Sequence, residues 1–364
     1  MPYSYTYYQL LITYMAMPGM PKITVRQVDI ARQLGVSQAA VSLVLGGDPT
    51  DRVGQEMKLR IEKTAKSMGY QPNLAARQLR GVRSRLLGIL IGAGAAPVLF
   101  DRVTALERAA MERGYRVLVG QIGDDLDQVS KYVDDFVGRG LDGVICMSHE
   151  NHDHPGSVPE ILSRIKNVVY LRRPAFEHGR FIHIDAADCI HQAIDHLLAH
   201  GRRRVGMIVL NDYNQANVHR RQGYIEAMRQ HAREYDPNLI WVGDDTLLPS
   251  PHEVSNQKAD EVVQELVVRQ RADAIIAIND DWAAQLIKAL RRLGRRVPDD
   301  VAIIGQGNFK IASFFDPEIT TLDPQNEDFA TAAIDLLVEM IEERGELPRR
   351  SLTVRPKLII RESA

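Results

Sequence analysis

The sequence predicts an all-α head joined to an α/β body of two doubly wound parallel-sheet lobes. Between Asp29 and Gly81, apolar residues recur three and four positions apart, which is typical of short amphipathic helices. Beyond Leu86, short apolar runs alternate with helical patterns, as in parallel sheets covered by helices on both faces. The chain has 364 residues and 45% hydrophobic content. After a head of about 60 residues, it is still long enough to form two lobes with separate cores.

Two helices separated by a glycine form the first part of the head. Ile30, Ala31 and Leu34 make one apolar face, and Gly35 supplies the turn that two steeply crossing helices need. Ser37 is predicted to cap the second helix. The inward face of that helix consists of Ala40, Val41, Val44 and Leu45. Its outward side near the N-terminus, where a recognition helix meets base edges, carries Ser37, Gln38, Ala39 and Ser42. An ordinary helical hairpin is the alternative.

A third helix and a short helical segment complete the head. The third helix is predicted from the apolar residues Met57, Ile61, Ala65 and Met68. In the segment that follows, Asn73 is a competent N-cap and Gly81 a competent terminator. About eight residues lie between them, fewer than the ~12–15 that an isolated helix needs in water. The segment is therefore expected to be helical only when other contacts hold it.

Charge separates the head from the body. Residues 21–85 hold twelve Lys/Arg and five Asp/Glu, a net charge of +7, whereas the whole chain has a net charge of −2. Residues 1–20 carry no charged side chain, so residues 86–364 have a net charge of −9. A basic head on an acidic body is typical of a module that binds nucleic-acid phosphates. A solvated run of charge would explain a basic surface, but not its confinement to one segment.

The body contains two series of strands. They are predicted at 86–91, 116–119, 142–146, 168–171, 181–184, 205–210, 240–242, 274–278 and 301–304, with helices near 101–113, 125–138 and 187–200. Two such series indicate two lobes. A ligand is expected at the carboxyl ends of the strands, in the cleft between the lobes.

The head carries a set of ordered motifs: Asp29-Ile30-Ala31, Gly35-Val36-Ser37, Val41-Ser42, Gly69-Tyr70, Pro72-Asn73, Ala76 and Leu79 to Gly81. Together they resemble the LacI/GalR family of bacterial transcription regulators. The resemblance implies that the segment beginning at Asn73 is a hinge helix that folds on operator DNA. It also implies that Leu79, with Ala76 packed beside it, is a wedge in the minor groove, where an apolar side chain can unstack a base step.

The head also departs from the family pattern. Leu43 stands where many members carry an arginine on the recognition helix, and Gly46 stands where an asparagine is common. The loop from Gly46 to Gly54 is longer than usual. The set of base-reading residues is therefore left open.

The body resembles the same family over most of its length. The motifs are Arg173-Pro174, Gly201 to Val205, Arg220 to Tyr224, Asn279-Asp280, Val297 to Val301, Gly305, Thr320 to Leu322 and Leu358 to Ser363. The resemblance covers residues 24–364 and implies an effector domain similar to periplasmic sugar-binding proteins. The expected domains are an N-terminal extension (1–20), a helix-turn-helix domain (21–70), a hinge helix and linker (71–85), and an effector-binding and dimerisation domain of two lobes (86–364).

By position in the family, Arg220 and Asp280 are the main candidates for contacting an effector. Each is expected just past a strand, and a guanidinium with a carboxylate can donate to and accept from the hydroxyls of a sugar-like ligand. Asp280 is also a candidate N-cap for a helix starting at Asp281, and the two roles are compatible. Asp185, after the strand at 181–184, is a further candidate. Trp282 either stacks on a ligand ring or belongs to the core.

Two loops depart from the family, and they leave the effector's identity open. Gly92 to Phe100 lacks the usual polar and aromatic stretch, and Gly305-Gln306-Gly307-Asn308 differs from the common Gly-aromatic-Asp-acidic pattern.

No metal, cofactor or catalytic site is predicted. His149 to His154 packs three histidines and two carboxylates into six residues, but a solvated loop is favoured over a metal site. His196 and His200 are four residues apart on one helix, without an evident third ligand, so a surface face is expected. A nucleophile motif and a phosphate-binding loop are both lacking.

The expected location is the cytoplasm, in association with the nucleoid. The chain has two cysteines without disulfide or metal spacing, and no apolar run reaches the ~18 residues of a membrane span. The segment from Met1 to Met20 lacks the basic start of a signal peptide. It is expected to be disordered, or translation starts at Met15, Met17 or Met20.

These observations favour a repressor of carbohydrate uptake or catabolism genes. It is expected to bind near-palindromic double-stranded operator DNA as a homodimer and to be released by a small sugar-like effector. A co-repressor-dependent regulator responding to a nucleobase or another metabolite is the alternative. A solute-binding transport protein would need a signal peptide and would not need a basic head. A sugar-modifying enzyme would need catalytic carboxylates or a cofactor loop.

Overall fold

The chain divides into two compact units, with the boundary between Ser84 and Arg85. The structure is a computed structural model, and it describes residues 25–46, 52–70, 83–92, 97–123, 125–147, 156–172, 179–209, 215–231, 236–243, 255–342 and 351–364. The start of the chain, the hinge segment Asn73 to Gly81 and the cluster His149 to His154 lie outside the described residues. No helix in the described ranges is long and apolar enough to cross a membrane.

The first unit contains the three predicted helices: α1 (Gln27–Leu34), α2 (Gln38–Gly46) and α3 (Gln55–Ser67). Ile30, Val41 and Ile61, one from each helix, are fully buried and form the centre of its core. Gly35 ends α1 with a φ of 66°, a left-handed conformation that favours glycine. The predicted inward faces and the turn are thus confirmed.

The second unit alternates strands and helices. In chain order these are β1 (Leu86–Gly92), α4 (Pro97–Glu112), β2 (Arg116–Ile122), α5 (Leu126–Gly138), β3 (Gly143–Cys146), α6 (Ser157–Leu162), β4 (Val168–Tyr170), β5 (Arg180–Ile184), α7 (Ala186–Ala199), β6 (Val205–Val209), α8 (Gln215–Gln230), β7 (Ile240–Val242), α9 (Asn256–Val263, continued by a π-helical segment, Gln264–Arg269), β8 (Ala274–Ile276), α10 (Asp280–Arg292), β9 (Ala302–Gln306), α11 (Lys310–Phe314), β10 (Thr320–Asp323), α12 (Asn326–Glu342), β11 (Ser351–Val354) and β12 (Lys357–Ile359).

Two six-stranded sheets define the two lobes. The first-lobe sheet has the order β11-β5-β4-β3-β1-β2 and is parallel throughout. The second-lobe sheet has the order β12-β10-β9-β8-β6-β7 and is parallel except for the β10–β12 pair. Most central strands are buried along their full length, because helices cover both faces. The predicted pair of doubly wound lobes is confirmed.

The chain crosses between the lobes three times. It leaves the first lobe after β5, returns after β10, and crosses again between β11 and β12. On the return, α12 packs Phe329, Ile334 and Leu337 against Leu87 and other residues of the first-lobe core. The lobes are therefore not consecutive halves of the sequence, a feature that the strand pattern did not predict. Since β5 and β10 both exit at their carboxyl ends, the carboxyl edges of the two sheets face the same cleft.

Candidate DNA-binding helix and inter-lobe effector cleft

The N-terminal end of α2 is exposed above the core of the helical unit. Ser37, Gln38 and Ala39 are all exposed, whereas Ser42 is partly buried. Ser37 Oγ accepts a hydrogen bond from the Ala40 amide at 3.1 Å, so the Ser37 side chain caps α2. Ser37 therefore has a structural role in addition to its exposed position at the end of the helix. The resemblance also implies that three hinge residues belong to the DNA-binding set: Asn73, Ala76 and Leu79. These three lie outside the described residues.

Arg220 lies on α8, within the helix rather than directly after a strand as the sequence suggested. Two contacts of the next turn fix this helix: Tyr224 donates its hydroxyl to the Val205 carbonyl at 2.7 Å, and Gly223 lies against the backbone of Ala187. A Cβ at Gly223 would come within 2.7 Å of the Ala187 Cα, so only glycine allows α8 to approach α7 this closely. The two helices therefore hold Arg220 at a fixed position.

The Arg220 guanidinium has few partners of its own. Its Nη1 donates to Asn217 Oδ1 at 3.1 Å, while its buried Nε has no hydrogen-bond partner among the described residues. Burial lowers the pKa of Arg220, and the positive charge of Arg172 lowers it further. Arg172 follows β4 in the first lobe, so this influence acts across the cleft.

Asp185 lies at the first crossing between the lobes. Its carboxylate accepts the Asp188 amide at 2.9 Å and so caps α7. Its own amide donates to the Val354 carbonyl at 3.2 Å, which ties the first crossing to the third. Asp185 is thus a structural anchor of two crossings beside the cleft.

Asp280 is fully buried, and both of its carboxylate oxygens accept hydrogen bonds. Thr321 donates its hydroxyl to Oδ1 at 2.5 Å, and the Phe309 amide donates to Oδ2 at 2.6 Å. Burial nevertheless raises its pKa to about 6. Gly305 makes room for the carboxylate, because a Cβ there would overlap Oδ1. The predicted N-cap role was wrong by one residue: Asn279 caps α10 by accepting the Trp282 amide at 2.8 Å, which leaves Asp280 free to face Thr321.

Trp282 belongs to the core of the second lobe. It is 1% exposed and packs against Trp241, with the two ring centroids 5.8 Å apart. Of the two roles left open by the sequence, the structure places the side chain in the core, since an amphipathic helix buries this face of α10. Its ring has no exposed face on which a ligand could stack.

The structure adds Arg102, a buried cation that the sequence did not predict. Arg102 lies on α4 and is only 8% exposed. Its Nε donates to Asn326 Oδ1 at 3.0 Å, and its guanidinium lies 4.3 Å from the centroid of the Phe329 ring. Burial, followed by the charge of Arg172, lowers its pKa to about 10. The sequence did contain a signal: Arg102 is a cation on the helix face that otherwise carries Leu106 and Ala109.

A second depression lies beside α4 and the beginning of α12. Its volume is about 1000 Å³, and its lining includes the acidic residues Asp101, Asp281, Asp323, Glu327 and Asp328. Arg220, Asp280, Asp185 and Trp282 do not line it. It adjoins Asp280, however, because its lining includes Phe309, whose amide donates to Asp280 Oδ2.

The two histidines of α7, His196 and His200, were expected on a surface face, but the structure buries His196. His196 is 9% exposed, its ring centroid lies 4.3 Å from that of His200, and burial lowers its pKa. Within the described part of the chain, no group of three or more His, Cys, Asp or Glu side chains is arranged to hold a metal ion.

Known families match both units. A model of the lacI family of bacterial regulatory proteins matches residues 28–73, and a model of the periplasmic-binding-protein-like domain matches residues 194–364. A helix-turn-helix head joined to such a body defines a DNA-binding transcription regulator. The chain thus contains a DNA-binding domain of the lacI family and a periplasmic-binding-protein-like domain, as its motifs indicated.

Curated transcription regulators are similar to this chain over most of their length. The transcriptional regulator CelR of Thermobifida fusca is 28% identical over 92% of this chain and 96% of its own length. The transcriptional repressor PurR of Mannheimia succiniciproducens is 25% identical over 92% and 97%, and the repressor CytR of Escherichia coli is 25% identical over 86% and 89%.

Solved structures support the same architecture. A CelR–cellobiose complex is 26% identical, covers 93% of this chain and all of its own (100%), and has a TM-score of 0.65. The lac repressor dimer bound to operator and an anti-inducer is 18% identical, with 93% and 99% coverage and a TM-score of 0.77, which supports the fold.

Proposed function

We propose that this regulator is a repressor of carbohydrate uptake or catabolism genes that is released from its operator by a small sugar-like effector. The carrying observation is that a DNA-binding domain of the lacI family is joined to two parallel-sheet lobes, and that the second lobe holds the Arg220 guanidinium with a buried Nε that has no partner among the described residues. A ligand that binds both lobes would favour one relative orientation of the lobes. In this proposal the chain catalyses no reaction, and it acts in the cytoplasm on the nucleoid.

The proposal that the protein reads an operator depends on α2 and the hinge segment. The exposed amide of Gln38 and the exposed methyl group of Ala39 lie at the end of α2 that reads base edges in this proposal. Basic residues of the head neutralise phosphates. We assign residues 21–70 to the reading domain and 71–85 to the hinge. Leu79→Ala should lower specific affinity by a few kcal/mol at most, on the order of one unstacked step, without changing non-specific binding. An unchanged ratio of specific to non-specific affinity would contradict the wedge.

A homodimer is the proposed DNA-binding form, because one short recognition helix is too small to be selective alone. Apolar side chains exposed on the second unit support it. Val119 on the edge strand β2 is 53% exposed, Val242 on the edge strand β7 is 49% exposed, and Met111 on α4 is 59% exposed. Sedimentation should give a dimer, and a stable monomer with full operator affinity would contradict it.

The proposed switch couples the lobes to the hinge. Each hinge is too short to persist as an isolated helix, so a small change in lobe orientation is enough to melt it and release DNA. Coupling is reciprocal, so operator DNA must weaken effector binding by the factor by which effector weakens DNA binding. Tighter DNA binding on addition of the effector would instead establish co-repression.

Mapping the sites bound in the genome tests the proposed function most broadly. The expected result is a near-palindromic motif beside transport or catabolic genes, and the DNA fragment recovered there serves as the operator in binding assays. A random distribution of bound sites would overturn the proposal.

A further inference from the structure

The third crossing between the lobes is anchored on both sides of one exposed residue, Arg355. On the first-lobe side, Val354 ends β11, and its carbonyl accepts a hydrogen bond from the Asp185 amide at 3.2 Å. On the second-lobe side, the carbonyl of the buried Pro356 accepts a hydrogen bond from Gln192 Nε2 at 3.0 Å. The chain therefore passes from the anchors of one lobe to those of the other across a single residue.

Gln192, on α7, fastens the second-lobe side with both ends of its side-chain amide. Its Oε1 accepts the Leu358 amide at 3.1 Å, and its Nε2 donates to the Asp188 carboxylate at 2.8 Å as well as to the Pro356 carbonyl. Leu358 belongs to β12, an edge strand of the second-lobe sheet, so Gln192 supplies an acceptor where no further strand follows. Only one orientation of the Gln192 amide satisfies all three partners, because two of them are acceptors and one is a donor.

The second crossing is anchored in the same way. Asp323 ends β10, and its Oδ2 accepts a hydrogen bond from Asn308 Nδ2 of the second lobe at 2.9 Å. Asn326 begins α12, and its Oδ1 accepts a hydrogen bond from Arg102 Nε of the first lobe at 3.0 Å. Two residues lie between these anchors. In both crossings, the backbone can therefore turn only over one or two residues without a loss of the anchoring hydrogen bonds.

We propose that Gln192 is a crossing clamp, a side chain that confines rotation of the lobes at the third crossing to Arg355. Without the clamp, the bend can extend into Pro356 and Leu358, and the lobes can adopt a wider range of relative orientations. Pro356 adds to the confinement, since its ring fixes its own φ and restricts the conformation of the residue before it.

The clamp is a property of the two lobes, whatever the effector is, and only its consequence for DNA release rests on the proposed function. With a confined rotation, each ligand state has one lobe orientation. With a loose crossing, each ligand state has a range of orientations, and effector binding changes operator affinity by a smaller factor.

Hydrogen exchange of the full-length protein without ligand tests the contact itself. Gln192→Met keeps the length and helix propensity of the side chain but removes its donor and its acceptor. Exchange of the Leu358 amide should become about tenfold faster. Gln222→Met is the matched control, since Gln222 also donates to a carboxylate four residues away, Glu226 at 2.9 Å, but lies exposed on α8. An unchanged rate in Gln192→Met, or the same acceleration in the control, overturns the clamp.

The distance between the lobes tests the rotation. Spin labels are attached to the exposed positions of Asp135→Cys on α5 and Arg229→Cys on α8, while the native Cys146 and Cys189 are buried. Labelled protein is diluted with unlabelled protein, so that pulsed electron paramagnetic resonance measures distances within one chain. Gln192→Met should broaden the distance distribution, whereas the control variant should leave it unchanged. A distribution as narrow as that of the unsubstituted protein overturns the clamp.

A second variant decides the question if Gln192→Met does not fold. Gln192→Glu keeps an acceptor for the Leu358 amide but places a carboxylate against the Asp188 carboxylate and the Pro356 carbonyl. The distance distribution should again broaden, with Leu358 exchange closer to that of the unsubstituted protein. An unchanged distribution in Gln192→Glu contradicts the clamp.

The same samples separate this inference from the proposed function. A broader distribution in Gln192→Met, in a protein that recovers no operator from the genome, would support the clamp and refute the function. Operator binding that a sugar releases, together with an unchanged distribution in Gln192→Met, would support the function and refute the clamp.

Discussion

The buried ionic groups on the two sides of the inter-lobe cleft differ in how completely the protein satisfies their hydrogen bonds and charge. On the second-lobe side, both oxygens of Asp280 accept hydrogen bonds, and Gly305 leaves a space shaped for them. On the first-lobe side, Arg102 has a single hydrogen bond to a neutral amide, and its charge is not neutralised by an ion pair within the described residues. A group whose hydrogen-bonding capacity the protein fills, such as Asp280, holds the protein's own loops in place. A group whose capacity is only partly filled, such as Arg102, can contribute binding energy to a ligand.

Gly223→Ala should have the largest effect on this arrangement. The added methyl group meets the Ala187 backbone, which cannot rotate away, so α7 and α8 must separate and carry Arg220 with them. We expect the free energy of unfolding to fall by about 3 kcal/mol in denaturant titrations. Gly138→Ala is the control, since a Cβ at the end of α5 meets nothing within 4 Å. Similar stabilities for both variants would contradict the close helix contact.

Asp280→Ala should come next. It leaves the Phe309 amide and the Thr321 hydroxyl without their buried acceptor, so the free energy of unfolding should fall by about 2 kcal/mol. Asp280→Asn keeps the shape and one acceptor oxygen and should lose less. A loss in Asp280→Asn as large as that in Asp280→Ala would contradict the structural role of the two hydrogen bonds and would weaken the contrast between the two sides.

Gln38→Ala tests the head independently of the cleft. Loss of an exposed amide at the reading end of α2 should lower operator affinity by about 1–2 kcal/mol and relax the preference at one base pair. Gln33→Ala, an exposed amide on α1, is the control in the same titration. Equal effects of the two changes on specific binding would argue against α2 as the reading helix.

The pH dependence of stability should show the smallest effect. The folded pKa of Asp280 is about 6, above that of an unfolded aspartate, so the folded state binds the proton more tightly. This stabilisation is fully present below the unfolded pKa and is lost as the pH rises through 6. The stability of wild type relative to Asp280→Asn should therefore fall by about 1 kcal/mol between about pH 5 and about pH 7. A relative stability that rises over this range would contradict the buried carboxyl.

Elements with local signals were predictable from the sequence. The spacing of Ile30, Val41 and Ile61 and the turn at Gly35 were sufficient for the helical unit, because caps and apolar faces depend on near neighbours. Strands β1 to β9 were predictable as short apolar runs, whereas β10, β11 and β12 were not among the predicted strands. The return of α12 and β11 to the first lobe was not predictable, since an apolar helix face does not specify which of two cores will bury it.

The cleft was predictable only in part. Family position suggested Arg220 and Asp280 as effector contacts. The cap of α10 was ambiguous, because Asn279 and Asp280 are adjacent and are equally suitable caps by sequence. Only the contact between Asp280 and Thr321 separates their roles. Arg102 was detectable as a cation on an apolar helix face.

The most direct test of the central claim is the affinity of the full-length protein for its recovered operator, with and without effector, for wild type and Arg220→Gln. We predict that effector weakens operator binding by wild type about tenfold or more, while Arg220→Gln binds the operator with near wild-type affinity and does not respond. A full response of Arg220→Gln to the effector would contradict the claim that this cleft controls DNA binding.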